Sequence, residues 1–179
     1  MTAIITRFGV LGVFLLMVPE SACIPVPSEV TLLFSGFAVS QGWMSLPLAI
    51  LAATAGNLVG SLIAYWIGTS GVVARVPVAR AVLARWEGLL DRHGTRAVFL
   101  ARLLPLARTF VSLPAGARRV PLGRFVVLTT AGCLIWATGF VVAGVLANTA
   151  WNAIGSVAGK VLLGLGIAIG LLSLMRRRD

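Results

Sequence analysis

Negative charge is what this sequence has least of. Five Asp and Glu residues stand against fifteen Lys and Arg in 179 residues, a formal net charge of +10. Charge of either sign is missing altogether from residues 30–74 and 125–159. With 59% hydrophobic residues and a mean hydropathy of +1.01, such stretches exclude an ordinary soluble domain. His93 is the only histidine, placed beside a basic segment and expected on the surface. A membrane phosphatase with a histidine nucleophile needs a histidine facing the membrane with partners around it. The chain also has no Gly-x-Ser-x-Gly elbow and no metal-ligand spacing, so we expect no enzyme, no metal and no cofactor. Cys23 and Cys133 lie far apart in apolar surroundings and read as small packing residues. The basic clusters lack interleaved aromatics, which argues against a nucleic-acid partner.

What is present is a pattern of spans. About 20 apolar residues cross a bilayer, so each uncharged stretch holds one crossing with residues to spare. Residues 161–175 are apolar and end at Arg176, Arg177 and Arg178, giving a last span over about 154–175. Arg75, Arg80, Arg85, Arg92 and Arg96 form one basic group, and Arg118, Arg119 and Arg124 a second. The positive-inside rule puts these and the tail in the cytoplasm, where they attract anionic headgroups. The expectation is a multi-pass protein of the cytoplasmic (inner) membrane, with its C-terminus cytoplasmic. Arg7, the apolar run from Phe8 to Val18 and Ser21-Ala22-Cys23 superficially resemble a signal peptide. Glu20 occupies the place where a lipobox wants an aliphatic residue, so retention is expected and processing is left open.

Residues 8–18 make an apolar helix of about 16 Å, half a bilayer. Pro19, Pro25 and Pro27 are expected to stop it, and residues 30–39 form a second short arm. Two half-length arms around a proline break describe a re-entrant hairpin, tolerated at membrane depth where protein buries it or a wet cavity receives it. From Trp43 to Gly68 the chain is long enough to cross. Gly56, Gly60, Ser61 and Ala64 allow close helix contact there, and the tryptophans Trp43 and Trp66 suit interfaces. Residues 78–93 read as an amphipathic helix lying on the cytoplasmic surface. Residues 97–117 repeat the hairpin layout with Pro105, Arg108, Pro114 and Gly116, and a span follows over 125–147, then a turn over 148–152. Thr54-Ala55-Gly56 aligns with Thr130-Ala131-Gly132, with Gly68 and Gly144 each twelve residues later. The two spans run oppositely by their flanking charges, which makes an inverted repeat of the kind found in secondary transporters. The fold class is therefore all-α integral membrane: a re-entrant hairpin plus transmembrane helix, repeated in inverted order, with a cytoplasmic amphipathic helix and a final transmembrane helix. One membrane domain covers 1–179, with repeat one over about 8–68, the linker over 72–96 and repeat two over 97–147.

Glu20 and Glu29 bracket the first break, and Arg102 and Arg108 flank Pro105 in the second. Each charge at the bilayer centre costs about 3 kcal/mol, so the four cost roughly 12 kcal/mol. That rivals the whole stability of a fold, about 5–15 kcal/mol, so these groups must face one another, water or a ligand. Arginine stays charged and presents a planar fork of donors that suits phosphate. Helix ends at the break add backbone N–H groups, so Arg102 and Arg108 are the candidate holders of an anionic headgroup. Burial opposes the charge of Glu20 and Glu29 while a neighbouring arginine favours it, which makes them the candidate proton-coupling pair. The plainer reading is that the four form ion pairs fastening the hairpins together. Asn57, Ser61 and Tyr65 share one face of the first span and either line a polar path or make interhelical contacts.

Several of these residues recur together. Glu20-x4-Pro25-x-Pro27-Ser28-Glu29 is followed by Gly56-Asn57-x2-Gly60-Ser61-x3-Tyr65-x2-Gly68. Then come Phe99-x-Ala101-Arg102-x2-Pro105-x2-Arg108-Thr109-Phe110, Ala115-Gly116 and Gly132-x3-Trp136. In this order they resemble the DedA family (the VTT, or SNARE-associated, superfamily), from about Val18 to Gly144. The resemblance implies paired re-entrant hairpins in a bacterial or archaeal cytoplasmic membrane. It also implies transport of lipid phosphates, notably undecaprenyl phosphate, or flipping of phospholipid, with dependence on proton-motive force. The family's functional acidic and arginine pairs carry over onto Glu20, Glu29, Arg102 and Arg108. The expected function is thus a flippase for polyprenyl phosphate or anionic phospholipid, with membrane lipids as partners and a homo-oligomer left open. A proton- or cation-coupled carrier of a small soluble solute and a non-transporting membrane scaffold are the alternatives.

Overall fold

The computed structural model describes residues 8–24, 27–71, 88, 92, 94–104 and 107–175, with side chains described as far as Asn148. Among these residues there are helices and no strands: α1 (Val10–Ser21), α2 (Ser28–Ser40), α3 (Leu46–Thr69), α4 (Arg96–Arg102), α5 (Ala107–Phe110), α6 (Ser112–Ala117) and α7 (Leu122–Met175). Of the amphipathic helix expected over 78–93, Gly88 and Arg92 alone are among the described residues, and His93 lies outside them.

Helix α3 and the Leu122–Asn148 part of α7 are long and apolar enough to cross a membrane, at 24 and 27 residues. Helices α1 and α2, at 12 and 13 residues, reach only about 20 Å, short of a 30 Å hydrocarbon core. Three details of these helices bear on the sequence reading, and the first and third differ from it. The first helix does not stop at Pro19 but includes it and ends at Ser21. Proline's φ suits a helix, so the chain stays helical there while losing the bond that a residue-19 N–H would have made to the Leu15 carbonyl. Glu20 therefore rides on the last helical turn. Second, Pro114 lies inside α6 (Ser112–Ala117), in the first turn, where its missing N–H would have had no partner. Third, the turn expected over 148–152 is absent, and α7 continues unbroken to Met175. That segment holds asparagine but neither glycine nor proline, and nothing in its backbone chemistry forces a break.

The end of α1 shows how the break is made. The N–H of Ile24 donates to the Pro19 carbonyl and that of Cys23 to the Glu20 carbonyl, with Cys23 at φ 71°. This is a Schellman stop, which usually employs glycine. Helix α2 ends the same way on Gly42 at φ 75°.

The helices pack crosswise. α1 lies on α3 and α2 on α7, while α4 lies on α7 and α6 on α3. Each of these four short helices thus has a long partner, and α1 and α2 rest on different ones, as do α4 and α6. At the α2–α7 crossing a Cβ on Gly36 would run into the Val141 carbonyl, and one on Gly144 into that of Leu33. At the α6–α3 crossing Gly116 meets the Tyr65 carbonyl and Gly68 that of Leu113 in the same way. Backbones touch directly at both places, the close approach that small residues permit between membrane helices.

Large apolar side chains face outward. Leu48, Leu51, Ile63, Trp66, Ile135 and Leu146 are exposed, while Glu20, Asn57, Arg102 and Arg108 are buried. Such a surface is unfavourable in water and natural in lipid, where polar groups must find partners inside the protein.

Candidate functional site

The polar interior is built from α1, α2, α3 and the second break. Glu20 is 3% exposed, and Arg102 and Arg108 are 2% exposed. Glu20 Oε2 accepts from Arg108 Nη2 at 3.2 Å. Its Oε1 accepts from the Ser28 hydroxyl at 3.2 Å and from the Thr109 hydroxyl at 3.3 Å. The Ser21 hydroxyl lies 2.6 Å from Asn57 Oδ1 and 3.2 Å from Glu20 Oε2, and its single proton goes to the nearer. Arg108 Nη2 also approaches Asn57 Oδ1 at 3.5 Å. The Arg108 guanidinium carbon sits 4.8 Å from the centroid of the Trp136 ring, a cation–π contact.

Arg102 has different work. Its Nη1 donates to the Arg108 main-chain carbonyl at 2.5 Å and its Nη2 to the Ser112 hydroxyl at 2.6 Å. It ties α4 to the main chain of α5 and to α6, so the position of Arg108 depends on it. The thiol of Cys23 donates to the Thr109 carbonyl at 3.3 Å, tying the first break to the second.

Of the residues singled out in the sequence, Glu20, Arg102, Arg108 and Asn57 come together. Glu29 does not join them. It lies half-buried in the first turn of α2, and among the described residues the one ion pair is that of Glu20 with Arg108. Ser61 donates to the Asn57 main-chain carbonyl at 2.6 Å and Tyr65 to the Val120 carbonyl at 2.7 Å, so both hydroxyls are engaged by backbone. Sequence reasoning gave no site role to Ser21, Thr109, Ser112 or Trp136. The readable signal was a hydroxyl next to, or four residues from, a lone charge in an apolar run.

The arrangement has more donors than acceptors. Arg102 Nε, Arg108 Nη1, Asn57 Nδ2 and Trp136 Nε1 are all buried without a hydrogen-bond partner. Each orphaned donor costs about 1–3 kcal/mol, more when charged. One carboxylate faces two guanidiniums, so the centre is also positively charged. A buried surplus of N–H donors and positive charge matches a tetrahedral oxyanion with several acceptor oxygens.

Taken together, a buried charged centre under an apolar shell with two membrane-length helices defines a helical membrane protein with a polar site at depth. The VTT domain model matches residues 26–146, and the chain belongs to the VTT domain (DedA) family. Among its relatives, a Lactococcus lactis protein named "Alkaline phosphatase-like protein" is 30% identical, covering 98% of this chain and 90% of its own length. Undecaprenyl phosphate transporter A of Bacillus subtilis is 29% identical over 87% of this chain and 80% of its own length. The Staphylococcus aureus protein of the same name is 28% identical over 80% and 76%. No solved structure matches.

Proposed function

We propose that the chain moves a lipid with a phosphate headgroup, a polyprenyl phosphate such as undecaprenyl phosphate or an anionic phospholipid, across the cytoplasmic membrane. The observation that carries this reading is the donor surplus: two buried guanidiniums, Asn57 Nδ2 and Trp136 Nε1 exceed the acceptors offered by Glu20. Two relatives named as undecaprenyl phosphate transporters give it further support. Arg108 holds the phosphate directly, and Arg102 holds α5 and α6 in place while offering Nε. Glu20 is the internal stand-in for the substrate: when it takes a proton it releases Arg108, and when the phosphate leaves it pairs again. Glu29, half-buried beside Ser28, acts as the second proton carrier. That exchange couples lipid movement to a proton gradient.

Alternation between the two faces comes from an inverted repeat. Leu33 and Gly36 correspond to Leu113 and Gly116, each 80 positions on, and Tyr65 and Gly68 to Val141 and Gly144, each 76 on. The backbone contacts Gly36–Val141 and Gly144–Leu33 then repeat as Gly116–Tyr65 and Gly68–Leu113, which supports the reading. Under that correspondence the charges fall at unlike positions, so one polar site is built from two unlike halves, as in transporters with midplane sites. Arg92, Arg96, Arg118, Arg119 and Arg124 lie on the cytoplasmic side.

The test is reconstitution in liposomes with labelled undecaprenyl phosphate and labelled phosphatidylglycerol, with and without a pH gradient. Arg108→Ala is expected to stop movement of the phosphate lipid. Equal rates for wild type and Arg108→Ala overturn the assignment, and flux of a soluble solute without lipid movement points to the solute carrier instead.

A further inference from the structure

A second cationic pocket lies away from the buried centre, at the start of α7. A cavity of about 770 Å³ is bordered by Arg92, Thr95, Arg96, Leu100 and Arg124. A second of about 320 Å³ shares Thr95, Arg96 and Arg124 and continues along Val127. The shared residues make the two one amphipathic depression, basic at one end and apolar at the other.

Its walls are rigid. Ala97 and Val98 of α4 and Phe125 of α7 are fully buried in one apolar cluster, which fixes the neighbouring Arg96 and Arg124 side by side. All three arginines are exposed. Among the described residues none of them forms an ion pair. The apolar end is equally uncovered, with Val127 66% and Leu100 44% exposed. Arg124 stands at the first turn of the membrane-length segment Leu122–Asn148, so the basic end falls at the water interface and the apolar end runs into the hydrocarbon. Along α4, Arg96 and the buried Arg102 are about 9 Å apart, so this depression is distinct from the inner centre.

We propose that this depression is a binding site for an anionic phospholipid, with the phosphate held by Arg92, Arg96 and Arg124 and an acyl chain laid along Leu100 and Val127. Charge complementarity selects the headgroup, because three basic side chains clustered at an anionic interface attract it. The continuous apolar groove selects a lipid over a free phosphate, which would leave that groove uncovered. The site stands independently of the transport reading, since it uses none of the residues of the inner centre.

Native mass spectrometry of the full chain, released from nanodiscs of mixed phosphatidylglycerol and phosphatidylcholine, tests it. Wild type is expected to retain phosphatidylglycerol selectively. Arg96→Gln with Arg124→Gln should lower that retention roughly 25-fold, since each of the two interfacial charges contributes on the order of 1 kcal/mol. Val127→Trp, which fills the groove and leaves the charge unchanged, should lower it as well. All three positions are exposed, and a thermal melt in detergent checks that the variants fold. Unchanged retention in the double arginine variant overturns the site. Loss in that variant with full retention in Val127→Trp, or displacement of the lipid by soluble glycerol phosphate, overturns the lipid assignment in favour of a simple anion site.

Discussion

Arg102 donates through Nη1 to the main-chain carbonyl of Arg108 at 2.5 Å, so one arginine of the pair positions the other. The two are therefore unequal. Arg102 serves two acceptors at once, with Ser112 Oγ at 2.6 Å as the second, and a lysine ammonium cannot span both in that planar geometry. Arg102→Lys is expected to lose lipid movement nearly as fully as Arg102→Ala. Arg108→Lys, which keeps a single charge near Glu20, should retain a measurable part. Flux assays on wild type and the three variants check the order, and equal losses for both lysine variants contradict it.

Ser112→Ala removes the partner of a buried guanidinium. A hydrogen bond to a charged group contributes about 1.5–3 kcal/mol, and a loss of that order should appear as a lower melting temperature in detergent. Ser61→Ala, which removes a hydroxyl bonded only to its own helix, should change the melt much less.

Glu20→Gln keeps the shape and the acceptor oxygen but cannot exchange a proton. Lipid movement in the variant should no longer respond to a pH gradient, while some gradient-free exchange persists. Glu29→Gln should reduce the response less, because Glu29 has no ion pair with either arginine among the described residues. A normal gradient response in Glu20→Gln rules out proton coupling through this residue.

Trp136→Leu removes the ring beneath the Arg108 guanidinium. Cation–π contacts contribute about 0.5–2 kcal/mol, so retention of labelled polyprenyl phosphate should fall several-fold, with Trp136→Phe in between. Titration of the labelled lipid into purified protein measures it.

Gly68→Val and Gly144→Val place side chains against facing carbonyls at the two corresponding crossings. Both should destabilise by similar amounts, at least the roughly 1–3 kcal/mol of an overpacked core. Gly139→Ala meets nothing nearby and should stay within about 1 kcal/mol of wild type. A large effect at Gly68 with none at Gly144 counts against the proposed repeat.

Much of this was legible in the sequence because lipid makes composition speak plainly. Uncharged runs located α3 and the first part of α7, and three of the four misplaced charges, Glu20, Arg102 and Arg108, marked the polar centre, since a charge at depth demands a partner. What the sequence did not give was which partner. Glu20 and Glu29 look alike as letters, yet the Schellman stop on Cys23 leaves Glu20 on the last turn of α1, turned to Arg108, while Glu29 starts a new helix. Pro19 was misleading because its φ fits a helix, and whether one lost N–H bond ends the helix depends on packing that composition does not report. The continuation of α7 through 148–152 has a similar origin, as asparagine permits a turn without imposing one. Serine and threonine ligands of the centre went unassigned because a hydroxyl in an apolar helix more often bonds its own backbone, as Ser61 does.

The crosswise packing has a consequence for how the molecule is made. Glu20 and Arg108 are 88 positions apart, which takes about 4 to 18 s to synthesise at 5–20 residues per second. Throughout that interval α2 lacks α7, the helix it rests against. The first half therefore enters the membrane as an unfinished object. A nascent chain arrested before Phe125 should be open to proteases and membrane quality control at α1 and α2, and closed to them once α7 has arrived.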